Sequence, residues 1–152
     1  MEPSLAEMHL GAWEGLTPDE IDARFDGAYQ RWRVTPSQVQ IPDAEATGTF
    51  RHRVRKTFHT IMAAHPEDTV VIVSHGGVIA ALFAEWLSAD YDRLLHRLTL
   101  DNAGISAIDR RTHPPHILWV NHTAHLVDAP AAAGGRGEDA TLSSLDGLSS
   151  RA

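Results

Sequence analysis

The strongest constraint on this chain lies at residues 69–77. A β-branched run, TVVIVS, is followed at once by His75-Gly76-Gly77 and then by the apolar stretch 78–87. A short uncharged run of this kind reads as a strand buried on both faces of a parallel sheet. The apolar stretch after it reads as a helix. The unit is strand, tight glycine turn, helix, and it favours an α/β fold. Ligands in open α/β sheets bind beyond the carboxyl ends of the strands. His75 falls at such an end. Gly76 and Gly77 allow the backbone close to a ligand, and the next helix presents free N–H groups to an anion. A histidine that titrates near neutrality adds positive charge there. On spacing alone, a glycine-rich turn with an incidental histidine explains the pattern equally well.

The rest of the chain supports the α/β reading. Thr17-Pro18-Asp19-Glu20 has the form of a capping box with proline at the first helical position. Ile21 and Phe25 then share a face, and Gly27 is a plausible break. Residues 36–42 should be loop. Phe50, Val54, Phe58, Ile61 and Met62 follow helical spacing, and His65-Pro66 should end that helix. Arg51, Arg55, Lys56 and His59 fall mostly on its other side and read as a solvated face. Residues 91–98 suggest one more helix. Residues 105–108 and 117–120 read as two strands joined around Pro114-Pro115 in a hairpin. Trp13, Trp32, Trp86 and Trp119 each sit in or beside a patterned element and are expected to pack.

Composition narrows the function classes. A net charge of −7 offers no basic excess, so no nucleic-acid partner is expected. A local pocket can still be positive and take a small anionic substrate. No stretch approaches a membrane span, so no membrane partner is expected. Cysteine is absent, which excludes disulfides and thiolate chemistry and fits a cytoplasmic protein. Ten histidines raise the question of a metal. His122 and His125 have i, i+3 spacing, but no carboxylate or cysteine recurs at ligand spacing. No metal and no cofactor are expected. Residues 1–126 should form one domain. Residues 127–152, rich in Ala, Gly and Ser, should be a disordered tail.

Five stretches, in order, resemble the histidine-phosphatase (phosphoglycerate-mutase-like) superfamily. Leu5 to Thr17, LAEMHLGAWEGLT, is similar to the family's "L-x-E-x-x-x-G-x-W-E-G". Pro42-Asp43-Ala44-Glu45 with Phe50 and Arg53-Val54 is similar to "P-G-G-E-S … F-x-x-R-V". Val73-Ser74-His75-Gly76-Gly77-Val78 matches the second histidine motif. Asn102-Ala103-Gly104-Ile105 resembles "N-A-S-V", and Asn121 to Leu126, NHTAHL, the closing "N-x-T-x-H-L".

The resemblance implies phosphoryl chemistry on a phosphorylated small molecule. His75 would hold and polarise the phosphoryl oxygens, with Gly76, Gly77 and Asn102 as substrate-binding residues. Glu7 would be the proton donor to the leaving group. In the family the nucleophile is a histidine in an opening "R-H-G" motif, which forms a phosphohistidine. The only Arg-His pair here is Arg51-His52, inside a predicted helix and without a following glycine. The family's first strand and its motif would precede residue 1. The resemblance therefore implies an incomplete phosphoglycerate-mutase-like sheet of about three strands, its central first strand missing, with catalysis impaired or absent. The strand at 69–74 would become an edge open to self-association; a strand flanked on both sides within one chain would sink that idea. The alternative is a non-catalytic phosphate- or partner-binding module.

Overall fold

The computed structural model describes residues 2–126; the expected tail at 127–152 lies outside the described residues. The chain divides into two compact units, Met1–Leu98 and Thr99–Ala152.

In the first unit, α1 (Pro18–Arg24) starts as its sequence predicts. The Thr17 side chain accepts from the Glu20 N–H, and Glu20 reaches back to the Thr17 N–H. Those bonds hold the exposed Glu20 carboxyl below its ordinary pKa. Gly27 breaks the helix in a left-handed conformation (φ 67°), and α2 (Ala28–Trp32) follows. Asp22 accepts from the N–H groups of Tyr29 and Gln30 and so satisfies the start of α2 from α1. These helices enclose a small core of Trp13, Ile21, Ala28 and Ile41, with Trp32 edge-on to Trp13 at 6.3 Å between ring centroids.

The second layer of this unit is built on α3 (Thr47–Ala64), which buries Phe50, Val54 and Phe58 on one face. Arg51, Arg55, Lys56 and His59 are exposed, as the periodicity predicts. This face meets α4 (Gly76–Trp86), a helix whose side chains from Val78 to Ala84 are largely buried. Trp86 locks the pair, lying edge-on to Phe58 at 5.0 Å and to Phe83 at 5.8 Å. Next comes α5 (Tyr91–Leu95), capped by Asp90 and shorter than the 91–98 predicted.

His96, just beyond α5, lies edge-on to Trp32 at 5.4 Å. Burial pushes its pKa down, against a hydrogen bond to the Trp32 backbone that raises it; Arg33 lowers it and Asp92 raises it more weakly. The unfolded chain therefore takes up the proton first as pH falls. The stability this contributes is complete above the ordinary histidine value of about 6.5 and is lost as pH drops below it. Urea midpoints at pH 7.5 and 5.5 should differ less in H96F than in the parent chain. An equal pH dependence in the two would contradict this origin.

The second unit carries β1 (Ile105–Asp109) and β2 (His116–His122), paired antiparallel as the predicted hairpin. Register shifts lie on both sides of Ala107, between Ile105 and Ile108. Arg111 holds the exposed Asp109 carboxyl down to about 2.

Three expectations need correction. The sheet among the described residues has two strands, not about three. Residues 69–74 are not part of it; they form no ladder, and the expected two-sided burial is replaced by alternation. Val71 is 82% exposed and Val73 93%, while Val70, Ile72 and Ser74 are half-buried. The β-branched run is extended, but pairing and a covering layer decide burial, and neither is local. Trp119, expected to pack, is 48% exposed on the hairpin.

Candidate active site

The 69–74 segment delivers His75 to the N-cap of α4, in extended conformation and exposed to solvent. The start of the chain lies beside this turn. Ser74 Oγ donates to the Leu5 carbonyl at 2.6 Å. The Gly77 N–H donates to Glu7 Oε2 at 3.0 Å, and the Met8 N–H donates to Glu7 Oε1 at 2.9 Å. Glu7, His75, Gly76 and Gly77, named from sequence as site residues, thus converge across some seventy positions.

Gly77 is required by close approach. A Cβ there would stand 2.4 Å from Glu7 Oε1. The Glu7 carboxylate sits against the first turn of an eleven-residue helix. The Tyr91 hydroxyl is buried, and burial, followed by the nearby Glu7 charge, raises its pKa well above the ordinary tyrosine range. Tyr91 therefore remains a neutral donor at physiological pH. Arg51 lies over its ring at 5.1 Å. The arrangement places a carboxylate, an imidazole and helix N–H groups around one exposed turn. That set can hold an oxyanion and exchange a proton with it.

Asn102, the remaining predicted substrate residue, belongs to the second unit. It is exposed within a turn closed by the Gly104 N–H on the Asp101 carbonyl at 3.0 Å. Asn121 fastens this turn: its Oδ1 accepts from the Asp101 N–H at 2.8 Å, and its Nδ2 donates to Asp101 Oδ2 at 2.8 Å. A Cβ on Gly104 would meet Asn121 Oδ1 at 2.2 Å. The "N-A-G" and "N-x-T" stretches thus support each other structurally. His122 and His125 stack at 6.5 Å. Among the described residues, no group of three or more His, Cys, Asp or Glu side chains converges on a metal-sized site.

Sequence reasoning passed over Arg53 and Tyr91. Arg53 falls inside a periodic helix whose pattern gives it no role; in the structure it bonds to Glu45 and to the carbonyls of Ser4, Ala6 and Glu7. The one signal for it is its place in the "F-x-x-R-V" stretch.

Comparison with known proteins accords with this geometry. The chain is 27% identical over 125 residues to phosphoserine phosphatase 1 of Hydrogenobacter thermophilus, covering 82% of this chain and 59% of that protein. In structure it is similar to Bacillus stearothermophilus YhfR, with a TM-score of 0.75 and 25% identity over 83% of this chain and 62% of that one. It is also similar to a mycobacterial glucosyl-3-phosphoglycerate phosphatase solved with inorganic phosphate. That match has a TM-score of 0.67 and 28% identity, over 80% of this chain and 64% of that one. The chain therefore spans roughly three fifths of each of these proteins. The family model for the histidine phosphatase superfamily (branch 1) matches residues 1–123. On that match, the chain belongs to the histidine phosphatase superfamily.

Proposed function

We propose that the His75 turn is the phosphoryl-holding part of a phosphomonoesterase site and that this 152-residue polypeptide alone does not turn substrate over. The observation that carries the first half is the Glu7 carboxylate on the Gly77 N–H beside His75. Two separate motifs, each weak alone, supply groups to one turn. In this reading His75 and the Gly76 N–H hold the phosphoryl oxygens, where negative charge develops in the transition state, while the Gly77 N–H holds Glu7 beside them. In the family's reaction the phosphoryl group passes to the nucleophilic histidine of the opening motif as the P–O bond to the alkoxide breaks, and Glu7 would give its proton to that alkoxide. The substrate is a phosphorylated small molecule. The phosphatase names of the similar proteins favour hydrolysis over intramolecular transfer. Asn102 is assigned to substrate on motif grounds, and the absence of cysteine agrees with a cytoplasmic setting.

The second half rests on sequence. No Arg-His-Gly occurs in the 152 residues, and Arg51-His52 lies within α3. Without a nucleophile to accept the phosphoryl group, the acid and the anion site have no covalent step to assist. Losing a nucleophile costs about six orders of magnitude in rate in a well-studied hydrolase. The exposed valines of 69–74 support a related reading: the family's neighbouring strand has no counterpart among the described residues.

Hydrolysis of p-nitrophenyl phosphate by the purified chain tests the proposal. No release above the uncatalysed background is expected. A family-like rate, abolished in H75A and accompanied by acid-labile phosphate on His75, would overturn it. The missing motif also favours a second reading, an anion-binding module without turnover.

A further inference from the structure

Arg53 projects from α3 into the segment that carries Glu7, and its guanidinium is fully used. Its Nε donates to Glu45 Oε1 at 2.7 Å and its Nη2 to Glu45 Oε2 at 2.8 Å, a bidentate pair. Its Nη1 donates to the carbonyls of Ser4 at 2.9 Å and Ala6 at 2.8 Å, and its Nη2 donates to the Glu7 carbonyl at 3.0 Å. A guanidinium has five N–H groups in a rigid fork, and here five bonds use all of them. The guanidinium also lies over the Phe50 ring at 5.0 Å, and Phe50 is fully buried. Glu45 adds a further tie, because its N–H donates to the His9 carbonyl at 2.9 Å. The backbone is thus pinned at residues 4, 6, 7 and 9, on both sides of the candidate acid.

None of these bonds goes to the Glu7 carboxylate. That group is left to the N–H groups of Met8 and Gly77. We propose that Arg53, braced by Glu45, is a positioning residue that holds the Glu7 backbone so that the Glu7 carboxylate stays on the Gly77 N–H at the His75 turn. The proposal rests on the reading of Glu7 and His75 as one site and deepens it. A flexible glutamate beside a phosphoryl group would sample many rotamers, and a proton donor is useful only within hydrogen-bond reach of the leaving oxygen. Pinning the backbone on both sides fixes where the side chain starts, so that its carboxylate can reach the Met8 and Gly77 N–H groups that hold it. Lysine cannot substitute, because an ammonium has three donors and no planar fork.

The test follows the Gly77 amide proton by NMR in the full chain across the carboxylate range, about pH 3.5 to 6.5. In the parent chain this resonance should move with a single carboxylate titration, and E7Q should abolish the movement, assigning it to Glu7 rather than to His75 or Tyr91. In R53K the amplitude should fall by about half or more, because the averaged shift scales with the population of the bonded arrangement. The buried Val78 methyl resonances, unchanged, show that the fold is kept. Where R53K fails to fold, E45Q decides: it keeps the fork and weakens its brace, and a reduced amplitude is again expected. Full Gly77 amplitude in R53K, or in E45Q where that variant decides, overturns the positioning role. A parent chain in which Gly77 does not titrate, or titrates unchanged in E7Q, overturns the underlying site reading.

Discussion

Replacing Arg53 with methionine should destabilise the first unit by about 3 kcal/mol or more, the range seen when one partner of a buried ion pair is removed. The pair is partly buried, the Arg53 and Glu45 side chains being only 24% and 16% exposed, and is screened far less than a surface pair. Methionine retains much of the apolar stem that packs near Phe50, so the loss is chiefly polar. Glu45 is left charged and partly buried without its fork, and three backbone carbonyls lose their donor. Against a total stability of about 5–15 kcal/mol for a domain, that is a large fraction. Urea denaturation followed by tryptophan fluorescence measures it. A change below about 1 kcal/mol, as for an exposed pair, would mean that the fork is ornamental.

Gly11→Ala should cost as much or more, for a different reason. Gly11 has φ of 53°, and a Cβ there would lie 2.2 Å from the Pro42 carbonyl oxygen and 2.5 Å from the Ala44 nitrogen. Both neighbours are backbone, and the adjacent Ala12 N–H donates to that same Pro42 carbonyl at 2.9 Å. The loop cannot retreat without breaking the contact that sets it. Gly15 is the internal control: its φ is 76°, yet a Cβ there meets nothing within 4 Å. G15A should therefore show only the left-handed backbone cost of about 1–2 kcal/mol. G11A should exceed it by about 1–3 kcal/mol, the usual range for forced overpacking. Equal losses in the two variants would show that the 11–15 and 42–44 segments are not packed as described.

The contrast between these variants also indicates which parts of the molecule a sequence reveals. The Thr17 capping box, the 3.6-residue periodicity from Phe50 to Phe58 and the hairpin around Pro114-Pro115 are local, and all three form where their residues predict. The run at 69–74 also announces an extended segment, but its burial depends on neighbours distant in sequence. Val71 and Val73 face solvent, and residues 69–74 pair with no strand among the described residues. The candidate site divides the same way. His75, Gly76, Gly77 and Glu7 are legible because motif order reports on residues that meet only after folding. Arg53 and Tyr91 are not, since their roles come from contacts to carbonyls and charges spaced without period along the chain. Asn102 sits in a turn whose local bonds account for its surroundings without reference to a ligand.

The account stands most directly on whether the His75 turn holds an oxyanion. Sulfate, whose charge does not change near neutrality, can be titrated into the labelled chain at pH 6 while the His75 ring and the Gly76 and Gly77 amides are followed by NMR. The account predicts shifts centred on these three residues, lost in H75A. Sulfate shifts that avoid this turn, or that persist undiminished in H75A, would contradict it.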